Sequence, residues 1–96
     1  MAARLTPRAQ ADIEEIWDYT AARWGPSQAE VYVAAIGNAI DRLARDARLG
    51  GRCDDIREGY FKMSVESHVI FFRRADSDIE VVRVLHARMD FPRRLG

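Results

Sequence analysis

The spacing of apolar residues changes once along this chain, from a helical period in the first half to strand-like segments in the second. Apolar side chains recur every three or four positions over residues 9–24 and again over residues 29–43, as on one face of a helix. Three short segments rich in aromatic and β-branched residues follow, at about residues 60–63, 67–74 and 79–86. Helices that precede strands in this way indicate an α+β fold.

The two predicted helices form an antiparallel hairpin, because only Gly25-Pro26 separates them. The first helix begins at Thr6-Pro7, a hydroxyl N-cap followed by proline at the first helical position. The second begins near Pro26 or Ser27 and is stopped by Gly50-Gly51.

The predicted fold is a short N-terminal strand, this helical hairpin and a three-stranded antiparallel β-meander, in a single domain of residues 1–96. Arg4-Leu5 supplies the short edge strand, and residues 52–58 form a polar loop with Ile56 as a candidate strand start. Aromatic residues at helical spacing usually belong to a core, so we assign Trp17 and Trp24 to it. The hairpin covers one sheet face, and we expect the other face to stay open as an aromatic, arginine-bearing concavity.

The charge of the chain argues against non-specific nucleic-acid binding. With 15 acidic and 15 basic residues the formal net charge is zero, whereas such binding depends on neutralising phosphates. No apolar run approaches the roughly 20 residues that cross a bilayer, and the N-terminus lacks a signal-peptide core. We therefore expect a cytoplasmic protein with no membrane partner. Cys53 is the one cysteine and no paired metal-ligand spacing occurs, so no metal or cofactor is expected.

Basic residues are concentrated at the C-terminus. Arg83, Arg88, Arg93 and Arg94 face only Asp90 in the last fourteen residues. Guanidinium groups suit bidentate contacts to carboxylates and phosphates, so these residues are candidates for binding a partner. The alternative, that several are solvated or paired with nearby acids at little energetic consequence, stays open.

Two histidines are the candidates for acid–base chemistry. His68 and His86 are equidistant from the turn near residue 77, so pairing of the last two strands brings them close together. Such a pair can act as acid and base, although histidines at strand ends are more often structural. The sequence contains no glycine-rich phosphate loop and no nucleophile elbow.

A series of short pieces runs through nearly the whole chain and is specific in its order and spacing. The pieces are Leu5-Thr6-Pro7-Arg8-Ala9 with Asp12-Ile13, Ile16-Trp17, Arg23-Trp24-Gly25 with Gln28-Ala29, Ile56-Arg57-Glu58-Gly59-Tyr60, Ser67-His68 and Val82-Arg83-Val84-Leu85-His86-Ala87-Arg88-Met89-Asp90. In this order they resemble the ParE toxins of bacterial type II toxin–antitoxin modules, within the wider RelE/ParE superfamily.

That resemblance implies the RelE/ParE-like architecture predicted above, together with a function that composition does not show. ParE-like toxins act on DNA gyrase, so that cleaved DNA persists and replication stalls. A ParD-like antitoxin, typically a dimeric ribbon-helix-helix domain with a toxin-wrapping C-terminal tail, neutralises the toxin. The implied partners are therefore DNA gyrase and a ParD-like antitoxin, with operator DNA contacted only through the antitoxin.

RelE-type relatives give the resemblance a second implication, which is cleavage of messenger RNA on the ribosome. They use basic residues on the sheet face and commonly a tyrosine or histidine near the C-terminus. This chain departs from that pattern because its last tyrosine is Tyr60 and it has one lysine. Arg57, Arg73, Arg83 and His86 remain as a partial set. A degenerate toxin that only regulates its operon is the third alternative.

We therefore predict a toxin that acts by binding its target, with no catalytic residue. The residues assigned to toxicity lie on the last strand and the tail: Arg83, His86, Arg88, Met89 and Asp90, followed by Arg93 and Arg94. Those assigned to the antitoxin lie on the open sheet face and the nearby loop: Arg57, Tyr60, Phe71 and Arg73. The two roles overlap if the antitoxin covers the toxic surface.

Overall fold

The computed structural model describes residues 2–95, and its elements follow the predicted order of strand, helical hairpin and meander. They are β1 (Ala3–Leu5), α1 (Pro7–Trp24), α2 (Pro26–Arg45), a 3₁₀ turn (Ala47–Leu49), β2 (Gly51–Arg52), β3 (Phe61–Val65), β4 (His68–Ala75), β5 (Asp78–His86) and α3 (Phe91–Leu95). The α+β fold class is confirmed, whereas β2 and α3 were not predicted. The strand start proposed at Ile56 is wrong, because that residue lies in a turn after β2.

The five strands form one sheet in the order β1-β5-β4-β3-β2. β1 pairs parallel with β5 at one edge, and the other neighbours pair antiparallel, as predicted for the meander. Glu66 and Asp76 adopt positive φ angles of 52° and 56° in the two meander turns. The β4–β5 register shifts at Phe71 and Phe72, leaving Val82 as the extra residue of a bulge.

The helices begin where the sequence predicts, but α2 ends earlier. Thr6 caps α1, because its Oγ1 accepts the N–H three residues later at 3.1 Å. Gly25 adopts a φ of 98° at the junction of the two helices, a conformation that favours glycine. α2 ends before Gly50-Gly51 because Asp46 is extended, and its carboxylate accepts from the amide of Arg48 to start the 3₁₀ turn.

The principal core lies between the helical hairpin and one face of the sheet. Its large, fully buried members include Ile70, Phe72 and Ile79 from the sheet and Ile36 and Leu43 from α2. Burying an apolar side chain of this size stabilises a fold by roughly 1.5–3 kcal/mol. This layer holds the hairpin against the sheet and so fixes α1 beside β5.

The opposite sheet face is covered, contrary to the prediction of an open concavity. Phe71 is fully buried, and its ring centroid lies 4.8 Å from that of Phe91 in α3. Cys53 and Tyr60, which flank the loop after β2, and Leu95 of α3 belong to the same buried cluster. An apolar sheet face gains free energy when it is removed from water, and the short C-terminal helix and the loop provide that cover.

The assignment of both tryptophans to the core is also wrong. Trp17 is 37% exposed and Trp24 is 64% exposed, whereas Asp12 and Thr20 occupy buried positions on α1. The apolar stripe of this helix is centred near Ile16, which leaves both tryptophans on its flank. Two bulky aromatic side chains are therefore presented at the surface of the helical hairpin. None of the helices within residues 2–95 has the length and apolar character needed to span a membrane.

Candidate functional site

A buried ion pair joins α1 to β5. The Arg83 guanidinium donates from Nε and Nη2 to the two carboxylate oxygens of Asp12, at 2.7 and 2.8 Å. Its Nη1 donates to the carbonyl oxygen of Arg94 in α3 at 3.0 Å. Hydrogen bonding to Asp12 raises the pKa of Arg83, and the two side chains are only 10% and 9% exposed. Arg83 therefore anchors three elements from the inside, which corrects its assignment as a surface contact for the target.

Asp12 also closes an open edge of the sheet. β1 pairs with β5 only at residues 79–81, so the rest of β5 has no neighbouring strand on that side. There the amide of Val84 donates to Asp12 Oδ2 at 3.0 Å, and Thr6 Oγ1 donates to the carbonyl oxygen of Val82 at 2.8 Å. Buried backbone groups without partners are costly, so α1 and its N-cap take the place of a strand along this edge.

A two-part cleft opens between α1, the adjoining ends of β4 and β5, and the C-terminal tail. One part has a volume of about 360 Å³ and the other about 470 Å³, and both are lined by Tyr19, Thr20, His68 and His86. The first part also includes Glu15, Met89 and Arg94, and the second Trp24, Tyr32 and Glu66. We call the two parts together the histidine cleft.

His68 and His86 pair across β4 and β5, as their equal distance from the turn predicted. Their ring centroids are 5.2 Å apart and the ring planes meet at 78°. His68 Nδ1 lies 2.6 Å from the hydroxyl of Tyr32, which accepts from the amide of Ser67 at 3.1 Å. His86 Nδ1 accepts from the amide of Arg88 at 3.1 Å.

The hydrogen bond at His86 fixes the proton position of its neutral ring, whereas the one at His68 is compatible with either tautomer. A backbone N–H only donates, so His86 Nδ1 presents a lone pair and the proton of the neutral ring is on Nε2. The Tyr32 oxygen accepts from Ser67, and we assign to His68 the tautomer in which the Tyr32 hydroxyl donates to Nδ1 and Nε2 carries the ring proton. Burial, and then the nearby His86, lower the pKa of His68, which favours its neutral form.

The remaining residues assigned to toxicity lie after the end of β5. Arg88, Met89, Asp90, Arg93 and Arg94 are exposed in the turn and in α3. Of these, Met89 and Arg94 line the histidine cleft beside the half-buried His86. The structure therefore places part of the predicted target-binding set around one concave surface and the rest on the exposed tail.

The residues assigned to the antitoxin do not form one exposed surface. Tyr60 and Phe71 are buried beneath α3 and the loop after β2. The open sheet face on which they were predicted to lie is therefore covered. Arg57 lies over the ring of Tyr60, with Cζ 5.5 Å from the ring centroid. Arg73 donates to Glu80 Oε1 at 2.7 Å. Arg57 and Arg73 are exposed and remain predicted contacts.

Asp12 and Tyr32 contribute to the site although neither was among the predicted site residues. Asp12 lies three residues after Ala9 and four before Ile16, within the buried stripe of α1. An acid at such a position needs a cationic or hydrogen-bonding partner, which is a usable sequence signal. The contact of Tyr32 with His68 depends on how α2 packs beside β4, and the sequence carries no comparable signal for it.

Comparison with known proteins gives consistent matches along the chain. A family model described as "ParE toxin of type II toxin-antitoxin system, parDE" matches residues 3–91. Toxin ParE1 of Mycobacterium tuberculosis is 53% identical over 92 residues, covering 95% of this chain and 94% of that protein. Toxin ParE1 of Caulobacter vibrioides is 37% identical over 93 residues, covering 97% of this chain and 96% of that protein.

A solved structure titled "Chromosomal ParDE TA system from P. aeruginosa" has a similar fold. The TM-score is 0.80 at 24% sequence identity, and the match covers 90% of this chain and 95% of that one. At this identity the likeness supports the architecture described above: a terminal strand, a helical hairpin and a meander.

Proposed function

Because this chain belongs to the ParE toxin family of type II toxin–antitoxin systems, we propose that it inhibits DNA gyrase by binding and is neutralised by a ParD-like antitoxin. The observation that carries the proposal is the match to curated ParE toxins over nearly the whole chain. The resemblance to this family implies gyrase as the target, a ribbon-helix-helix antitoxin, and operator binding through that antitoxin. We place its action in the cytoplasm, where bacterial DNA and gyrase are found.

The tail after β5 supports a binding role. Its exposed residues Arg88, Met89 and Arg93 follow a strand that pairs with neighbours on both sides along part of its length. Arg83 holds the start and the end of this segment together through its bond to the carbonyl oxygen of Arg94. The backbone of an anchored segment loses less conformational freedom on binding than that of a mobile one, which favours affinity.

The histidine cleft supports binding more than ribonuclease chemistry. A general base needs a free lone pair, yet Nδ1 of each histidine is engaged in a hydrogen bond, and the neutral ring of His86 carries its proton on Nε2. The guanidinium of Arg83 is neutralised by Asp12, and the exposed carboxylates of Glu15 and Glu66 line the cleft. Arg94 is the remaining cation of the lining, so the cleft lacks the cluster of basic side chains that binds a phosphate backbone, and the RelE-type activity is the less favoured alternative.

A supercoiling assay tests the proposed target. Purified toxin incubated with gyrase and relaxed plasmid should reduce supercoiling at near-stoichiometric amounts. An Arg88→Ala/Arg93→Ala variant should need about tenfold more protein, because each lost charged contact weakens binding. Arg42→Ala/Arg45→Ala, which removes two exposed arginines from α2, is the matched control and should behave as the wild type.

Further observations separate the alternatives. Unaltered gyrase turnover in stoichiometric excess of toxin contradicts gyrase inhibition, and cleavage of ribosome-bound messenger RNA supports the ribonuclease alternative. Normal growth after induction of the toxin alone supports the degenerate toxin that only regulates its operon. An adjacent gene that encodes a ribbon-helix-helix protein identifies the antitoxin.

A further inference from the structure

We propose that the histidine cleft is the docking site for a segment of the antitoxin, and that Nε2–H of His68 and of His86 donate to carbonyl oxygens of that segment. The inference rests on the proposed toxin–antitoxin pairing and adds the cleft to the antitoxin contacts predicted at Arg57 and Arg73. The sheet face favoured by the sequence is covered, whereas this concave surface is open.

The donor groups are defined by the hydrogen bonds on the other side of each ring. Nδ1 of His68 faces Tyr32 and Nδ1 of His86 faces the amide of Arg88. Within residues 2–95 neither Nε2 has a hydrogen-bond partner, and every buried side-chain nitrogen or oxygen there has one. Both Nε2 atoms are therefore open to solvent in a cleft that the two rings line together.

The hydrogen bond to His86 also argues against metal binding by the histidine pair. A metal ion binds the lone pair of a neutral imidazole, but a backbone N–H facing Nδ1 of His86 keeps the proton on Nε2. In the part of the chain that the structure describes, no cluster of three or more ligating side chains surrounds the pair. Two fixed N–H donors therefore call for acceptors, and carbonyl oxygens of a polypeptide supply them.

The walls of the cleft indicate an amphipathic polypeptide segment. Tyr19 is 66% exposed beside Trp24 and Met89, an apolar surface that a covering partner removes from water. Glu15, Glu66 and Arg94 make no ion pair within residues 2–95, so the cleft offers two acidic groups and one basic group to the charged side chains of such a segment.

Two substitutions at each histidine separate the proposed role from a structural one. In His86→Asn the amide oxygen replaces Nδ1 as the acceptor for Arg88 but no donor replaces Nε2–H, whereas His86→Gln does the reverse. His68→Asn and His68→Gln form the equivalent pair toward Tyr32. The probe is the purified protein encoded by the gene adjacent to this one, with affinity measured by calorimetry and stability by urea unfolding.

We expect a crossed pattern of effects. Each Asn variant should bind the antitoxin about five-fold more weakly and keep its stability, because one net hydrogen bond to the partner is lost. Each Gln variant should bind within about two-fold of wild type and unfold at lower urea, because only the internal bond is lost. Imidazole ¹⁵N shifts of the free toxin should report Nε2–H for both rings.

Other outcomes overturn the inference in distinguishable ways. Tight binding that the Asn variants leave unchanged, or Nδ1–H tautomers, overturns the docking site and leaves the toxin–antitoxin pairing in place. Failure of the wild type to bind the adjacent protein overturns the pairing and the docking site together. If the Asn variants instead weaken self-association or binding of single-stranded RNA, the cleft has a different occupant and the inference is wrong.

Discussion

Two ion pairs tie β5 to its neighbours, one in the interior and one on the surface. Side chains are 10% and 9% exposed in the Arg83–Asp12 pair, and 53% and 26% exposed in the Arg73–Glu80 pair. In both pairs the guanidinium Nε donates to a carboxylate oxygen at 2.7 Å. Removing one partner should nevertheless destabilise the fold more in the buried pair, because the remaining charge loses its ion pair without becoming hydrated.

The difference also separates two kinds of arginine that look alike in the sequence. Arg83 holds α1, β5 and α3 in register and so shapes the histidine cleft from behind. Arg73 stays largely in water, where its charge is available to a partner. Burial therefore distinguishes an arginine with a structural role from one whose guanidinium group stays accessible to a partner.

The largest effect should come from breaking the buried pair. Asp12→Ala leaves the Arg83 guanidinium and the amide of Val84 without their acceptor, so we expect a loss of about 3–5 kcal/mol in the free energy of unfolding. Urea unfolding of purified protein measures it. An Asp12→Leu/Arg83→Met double variant removes both charges and should recover much of that loss, since apolar replacements of buried pairs are often well tolerated. A loss below about 1 kcal/mol for Asp12→Ala contradicts the expectation that the buried pair matters more for stability than the surface pair.

Thr6, a partly buried tie at the same sheet edge, should give an intermediate effect. Its Oγ1 both caps α1 and donates to the carbonyl oxygen of Val82 in β5. Thr6→Ala removes both bonds, so we expect a loss of about 1–2 kcal/mol in unfolding free energy. Thr6→Ser keeps the hydroxyl and is the control. Equal losses in the two variants contradict a hydrogen-bonding role and point to the lost methyl group.

Local signals in the sequence predicted the parts of the fold that depend on neighbouring residues. Thr6-Pro7 and Gly25-Pro26 mark the helix ends because capping and backbone conformation are decided within a few residues. The pairing of His68 with His86 followed from the length of one turn. These features need no knowledge of what packs against them.

The errors fall where distant segments meet. The burial of Phe71 depends on α3, a helix of five residues that is too short for its apolar residues to show a helical period. Arg83 looked like its neighbours in the tail, and only the approach of α1 brings Asp12 to it across 71 positions of sequence. Such long-range partners decide which polar groups are site residues, so the candidate site was less predictable than the fold.

The half-buried position of His68 predicts that the stability of the protein depends on pH. Burial, followed by His86, lowers its pKa below the ordinary value of 6.5, so the unfolded chain binds a proton at higher pH than the folded chain does. His68 should therefore leave the free energy of unfolding unchanged above pH 6.5. It should reduce that free energy progressively as the pH falls from 6.5 toward the lowered pKa. Urea unfolding from pH 7.5 to 5 measures the decline, and His68→Asn should flatten it. Parallel profiles of the two proteins contradict the burial of a neutral ring.

The smallest effect should come from the surface pair. Arg73→Ala breaks the contact with Glu80, yet both groups remain in reach of water, so we expect a change of less than about 1 kcal/mol in unfolding free energy. A double-mutant cycle with Glu80→Ala measures the coupling directly, and a coupling as large as that of Arg83 with Asp12 contradicts the distinction between the two pairs. Because Arg73 is also a predicted antitoxin contact, the same variant tests recognition without a large stability change to confuse it. Weaker antitoxin binding by Arg73→Ala at unchanged stability then identifies Arg73 as an antitoxin contact.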